Sequence, residues 1–150
     1  DDPDGLCSYL LFKRKYQKGV GVWVKAKAGM EAEKIYFNKI SKHKPDLVVF
    51  LDKPDLDQDV IDKINVPIVW IDHHKPQNRE RVNYFNPMLG EKPDNRPTTY
   101  WVYKIVDNKK DMWVALIGII GDWHIPEFLK DFEYESICYY TSLQCRRHDC

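Results

Sequence analysis

The 150 residues carry 23 Lys+Arg against 23 Asp+Glu, with 43% hydrophobic and 31% charged residues, the balance of one soluble domain able to bury a real core. Zero formal net charge argues against a purely electrostatic nucleic-acid binder, though it leaves room for a local basic patch. A membrane helix needs about 20 apolar residues, and the longest apolar stretch, Met112 to Ile120, falls far short.

The predicted elements alternate. Leu6, Tyr9, Leu10 and Phe12 recur at helical spacing, predicting a helix from Gly5 to about Gln17. Val20 to Lys25 alternates and is rich in Val, predicting a strand. Ile35, Tyr36 and Ile40 among Lys and Glu predict an amphipathic helix from Glu31 to about Lys42. Leu47-Val48-Val49-Phe50-Leu51 and Pro67-Ile68-Val69-Trp70-Ile71 are continuous apolar runs, the mark of strands covered on both faces. A short helix over Asp57 to Lys63 separates them, and Val82 to Phe85 predicts one more short strand. After a loop from Asn86 to Pro97, helices are expected from about Thr98 to Val106 and from Asp111 to about Ile120, with a mostly helical tail from Glu127. The expectation is an α/β domain with a mainly parallel sheet flanked by helices.

In such sheets, functional groups gather beyond the C-terminal strand ends. Asp52 directly follows one apolar run, and Asp72-His73-His74 follow the other. An acid and two imidazoles at one strand end are costly to bury unpaired, and a metal or phosphate ligand resolves that cost. Asp2-Pro3-Asp4-Gly5 sets two carboxylates ahead of a helix, where they suit an N-cap as well as a ligand pair. Asp122 closes an apolar helix after Gly121; the glycine suits a C-cap, but an acid at that end is electrostatically disfavoured unless a cation is near. Asp55 and Asp57 are weaker candidates, being further from the strand end. The set is rich in carboxylate with no obvious thiolate, which favours Mn²⁺ or Mg²⁺ over a structural zinc. Two such ions bridged by one aspartate can drive in-line phosphoryl displacement.

At these residues the chain resembles the DHH phosphoesterase family, which spans RecJ-like exonucleases, oligonucleotide phosphodiesterases and family II pyrophosphatases. Four ordered segments carry the resemblance: Asp2-Pro3-Asp4-Gly5-Leu6-Cys7-Ser8, Val48 to Asp52, Asp72-His73-His74, and Gly118 to Asp122. Tyr84-Phe85-Asn86-Pro87 resembles the family segment that follows the triplet. The resemblance implies that Asp2 ligates one metal and Asp4 the other, that Asp52 bridges them, and that His73 and Asp122 complete the ligand set of the second metal. Asp52, His73 and His74 would be catalytic, with His74 touching the substrate phosphate. Asp72 would lie in or close to the metal shell, or orient a histidine from behind. Two departures stand out. The family's first motif begins with a His on a preceding strand, so the sheet is expected to lack its first strand. The chain also ends before the family's C-terminal substrate-binding domain, so residues 1–150 would be a DHH domain truncated at its N-terminus.

The resulting expectation is a divalent-metal-dependent phosphodiesterase acting on single-stranded nucleic acid, short oligonucleotides or cyclic dinucleotides. A pyrophosphatase-like phosphoanhydride hydrolase and a non-catalytic scaffold in a larger assembly are the alternatives, with a homodimer or larger assembly among the expected partners. The opening Asp1-Asp2-Pro3-Asp4 is no secretory leader and four cysteines make no disulfide framework, so a cytoplasmic location is expected. Cys138, Cys145, His148 and Cys150 could bind zinc, although their spacing fits no standard module. Arg146-Arg147 reads as solvated surface. Of the five Trp, Trp123 alone is singled out, because it follows Asp122.

Overall fold

The computed structural model of the chain describes residues 2–22 and 30–132. Helix α1 spans Pro3–Tyr16 and has every local reason to form. Asp2 caps it, Pro3 opens it, Asp4 lies in its first turn and Lys13, Arg14 and Lys15 in its last, so that charge complements the helix dipole at both ends. Gln17 then takes φ 53 and donates its N–H to the Lys13 carbonyl, ending the helix.

The strand expected over Val20 to Lys25 is corrected where it can be seen. Residues 17–22 form no strand; they fold back along α1, where Lys13 Nζ donates to the Gly19 carbonyl at 2.8 Å. Gly21 lies so close to the Tyr9 ring that a Cβ there would overlap it. The alternating Val and Gly residues are therefore spent on the helix surface, not on a sheet edge. Residues 23–29, the rest of that expected strand and Trp23 with it, lie outside the described residues.

Helix α2 spans Met30–His43, strand β1 Val48–Leu51, helix α3 Gln58–Lys63, strand β2 Ile68–Ile71 and strand β3 Asn83–Phe85. The three strands lie in the order β1-β2-β3 and are all parallel. Val48 pairs with Ile68 and Leu51 with Ile71; Val69 pairs with Asn83 and Ile71 with Phe85. Helix α4 covers Thr98–Val106 and α5 Met112–Gly121. The loop before α4 contains a 3-10 turn over Pro87–Leu89. Beyond α5 the expected helical tail is a 3-10 turn, Glu127–Asp131, and Cys138, Cys145, Arg146, Arg147, His148 and Cys150 fall outside the described residues.

Side chains of the two apolar runs alternate across the sheet. Phe50, Ile68 and Trp70 face one core, with Val60, Ile61 and Ile64 around α3 and Tyr36, Phe37 and Ile40 of α2 packed against it. Ile71, with Leu51 and Val69, faces the other, built from Leu11 of α1, Val102 and Val106 of α4 and Val114, Ala115 and Ile119 of α5. Both faces of β2 are covered, which is why that run needs no polar position, whereas Val49 of β1 stays exposed. Trp70 is fully buried, stacks on Tyr84 at 4.1 Å and satisfies its indole N–H on the Lys53 carbonyl at 3.0 Å. No described helix is long and apolar enough to cross a membrane.

Candidate metal centre

The sheet ladder continues one residue past each strand. Asp52 N–H donates to the Ile71 carbonyl at 2.9 Å, and Asp72 N–H to that of Phe85 at 3.1 Å. Both acids are thereby fixed to the C-terminal edge by backbone bonds before their side chains make any contact. Asp52 takes φ 53, a left-handed backbone that Asp tolerates better than most residues. Its carboxylate lies against Gly5, where a Cβ would come within 3.2 Å of Oδ2, so the glycine of the first motif makes room for the acid of the second.

Asp4 is delivered by α1 and held by α4. It is only 1% exposed, and its two carboxylate oxygens accept the backbone N–H groups of Thr98, at 2.8 Å, and Thr99, at 2.6 Å. Those amides are the free donors of a helix N-terminus, the natural seat for a buried carboxylate. The Thr99 hydroxyl donates to the Asp4 carbonyl at 2.7 Å and the Thr98 hydroxyl to Asp52 Oδ1 at 3.1 Å.

His73 stands at the centre. Its Nε2 lies 3.6 Å from Asp4 Oδ2, 3.7 Å from Asp52 Oδ1 and 3.6 Å from Asp122 Oδ2. Its Nδ1 lies 3.2 Å from the Asn95 carbonyl. His74 Nδ1 is 2.8 Å from Asp72 Oδ1 and 3.8 Å from Asp52 Oδ1. Asp122 is the C-cap of α5, with its N–H on the Gly118 carbonyl at 3.1 Å.

Two further expected residues stand around this group. Asp2 caps α1 through the Gly5 N–H at 3.0 Å and shares a hydrogen bond with Asp52, at the rim of the cluster. Asp72, 1% exposed, turns behind His74, where Oδ2 accepts the His74 N–H at 3.0 Å and Oδ1 meets its ring. Asn86 supports this pair from below, donating to the His74 carbonyl at 2.8 Å and to Asp72 Oδ2 at 3.5 Å. Trp123 is 98% exposed beside Asp122.

The electrostatics follow from crowding acids. Burial first, then the charges of Asp4 and Asp2, push the Asp52 carboxyl up to about 8. Burial also works to raise Asp2, but the Gly5 N–H and the bond with Asp52 outweigh it and leave Asp2 below the usual aspartate value. Of the two, Asp52 is the one whose charged form is disfavoured. Burial raises Asp122 despite the opposing pull of His73. The hydrogen bond to Asp72 raises His74 against its own burial.

The donor set fits a divalent cation. Asp52, His73 and His74 bring ligand atoms within 4.8 Å of one another, and so do Asp4, His73 and Asp122, with His73 common to both groups. The carbonyl beside Nδ1 leaves Nε2 as a lone pair aimed at three carboxylate oxygens. Separations of 3.6–3.7 Å are too long for hydrogen bonds. They lie within the about 3.0–4.2 Å spread of donors around one octahedral ion with bonds of about 2.1 Å. A cation converts mutual repulsion into coordination.

Sequence reasoning did not identify Thr98, Thr99, Asn95 or Arg96, and marked Asn86 only as part of a family-like segment. The only signal was Pro97-Thr98-Thr99 at the start of a predicted helix, whose amides are bound to seek an acceptor. A separate cleft of about 400 Å³ opens beside β3, lined among others by Phe85, Leu89, Lys92 and Trp101, and includes none of the clustered acids Asp2, Asp4, Asp52, Asp72 or Asp122.

No curated protein matches the sequence. The family model described as the DHH family, N-terminal domain, matches residues 1–119, which contain α1, the whole sheet, α4 and most of α5. Members of that family are typically metal-dependent phosphoesterase-type hydrolases. With its acids and imidazoles gathered at the C-terminal edge of a parallel sheet and this match over most of its length, the chain belongs to the DHH family.

Proposed function

We propose that this domain hydrolyses phosphodiester bonds of single-stranded nucleic acid, short oligonucleotides or cyclic dinucleotides with two bound divalent cations, Mn²⁺ or Mg²⁺. The observation that supports this most is the pair of overlapping ligand groups that share His73. By the family resemblance, Asp4, His73 and Asp122 would hold one ion and Asp2, at the rim of the cluster, the other, with Asp52 serving both. Cations in that position lower the pKa of a bound water and neutralise the phosphoryl oxygens of an in-line displacement.

The chain's own residues do the rest. Asp72 keeps the Nδ1 proton of His74 engaged, so the ring presents Nε2 outward as a donor to a phosphoryl oxygen, and His74 is 40% exposed and able to reach it. The hydrogen bond that raises its pKa favours the charged ring, the form suited to an anionic substrate. Asp52, deprotonated, would offer its carboxylate to both ions. Thr98 and Thr99 fix Asp4, so the ligand set is rigid before substrate arrives.

The test is hydrolysis of a short end-labelled oligonucleotide with added Mn²⁺, measured against inorganic pyrophosphate. Oligonucleotide cleavage that chelator abolishes is expected. Preferred turnover of pyrophosphate would move the site to phosphoanhydride hydrolysis. Tight Mn²⁺ binding with neither substrate cleaved would make the domain a metal-binding scaffold.

A further inference from the structure

The loop ahead of α4 brings one backbone carbonyl to His73. That oxygen belongs to Asn95 and lies 3.2 Å from Nδ1. A carbonyl can only accept, so Nδ1 carries the proton and the Nε2 lone pair is left for the carboxylate side. A loop carbonyl holds a ring in place only if the loop is itself fixed. Here the residues on either side of Asn95 are tied to each other.

Arg96 N–H donates to Asp94 Oδ1 at 2.9 Å, and Arg96 Nε reaches the two Asp94 oxygens at 3.0 and 2.9 Å. Nη2 adds a bond to Asp94 Oδ2 and Nη1 one to the Tyr100 hydroxyl. The guanidinium carbon stands 4.2 Å from the Tyr100 ring centroid and 5.1 Å from that of Trp101. The Trp101 indole closes the arrangement from below, donating to the Arg96 carbonyl at 3.2 Å. Asp94 N–H is held by the Pro87 carbonyl at 3.2 Å.

The guanidinium fork is used within the chain and the side chain is 29% exposed, so Arg96 is placed to hold a loop and not to grip a phosphate. We propose that Arg96, with Asp94, is a positioning residue for the metal centre: their clamp aims the Asn95 carbonyl at His73 and so fixes the ring as its Nδ1–H tautomer. The proposal rests on the reading of His73 as an ion ligand. Lysine cannot substitute, since it offers a point charge without the planar fork.

The test uses the full chain. Nitrogen NMR of the metal-free protein should show the His73 Nδ1 carrying a proton in the wild type, and a mixture in Arg96→Lys. Calorimetric Mn²⁺ titration of Arg96→Lys should show affinity about 10–100-fold weaker, the usual effect of losing a partner behind a metal ligand. Asp94→Asn, of nearly unchanged shape, should reproduce both results and serves if Arg96→Lys fails to fold. In a His73→Ala background, Arg96→Lys should cost no further affinity. A folded Arg96→Lys or Asp94→Asn that keeps the wild-type tautomer and Mn²⁺ affinity overturns the proposal, as does an undiminished loss in the His73→Ala background. If His73→Ala itself binds Mn²⁺ like wild type, the underlying ligand assignment falls and the proposal with it. Weak binding by His73→Ala beside unaltered binding by Arg96→Lys removes the proposal alone.

Discussion

Asp52 is the residue on which the cluster turns, because it touches most of the other groups. It lies 3.7 Å from His73 Nε2 and 3.8 Å from His74 Nδ1, accepts from the Thr98 hydroxyl and feels the charges of Asp4 and Asp2. Asp52→Ala should lower hydrolysis at least about 100-fold, near 2.7 kcal/mol of barrier, as read in steady-state assays of the oligonucleotide. Near-wild-type activity in that variant would rule out the bridging role. Asp72 stands one layer further back, behind His74. Asp72→Asn should reduce turnover about 10–100-fold while shifting Mn²⁺ affinity by less than about threefold. A large loss of Mn²⁺ affinity would instead put Asp72 among the ligands. The sequence left that residue between two roles, because adjacency in the triplet does not say which way a side chain turns.

At the scale of elements, Ile68–Ile71 was readable as a strand because both its faces are covered, so every position rewards an apolar side chain; Val48–Leu51 reads the same way although Val49 faces solvent. Val20 to Val22 shows the limit of the same reasoning. Alternating valines fit a strand, but the Tyr9 ring and Lys13 of α1 take that segment onto a helix surface instead. Gly118 sits where α1, α4 and α5 meet, and a Cβ there would come within 2.5 Å of Thr99 Oγ1 and 2.7 Å of Cys7 Cβ. Gly118→Ala should therefore destabilise the domain by about 1–3 kcal/mol in urea unfolding, despite alanine's better helix propensity. A stabilised variant would show that the three helices do not close on that glycine. Because Thr99 also holds Asp4, the same change should weaken Mn²⁺ binding.

For the whole molecule, packing five acids around two imidazoles makes stability depend on pH. A group whose pKa rises on folding stabilises the fold below its unfolded value, and that contribution is lost as pH climbs through the folded one. For Asp52 the window runs from 3.8 to about 8, with burial as the chief cause. Asp122 and His74 are also raised, by burial and by the Asp72 hydrogen bond respectively, and act in the same direction; Asp2, lowered, opposes them. The metal-free unfolding temperature should fall between about pH 5 and 8, and saturating Mn²⁺ should remove the fall. Calorimetry at several pH values with and without chelator measures this; stability that rises with pH in the chelated protein would contradict the crowding of these acids.

The sequence by itself determined which residue types stand at the strand ends, since apolar runs followed by Asp52 and by Asp72-His73-His74 admit few other foldings of an α/β chain. It also marked Asp122 through the oddity of an acid closing an apolar helix. Only the tertiary structure decided that Asp4 is seated on the amides of Thr98 and Thr99, over 90 residues away, and that Asn95 faces His73. Those contacts are made by backbone groups, which every residue carries and which leave no trace in the identity of a side chain. Where the chain's own peptide groups do the positioning, the choice is made by packing.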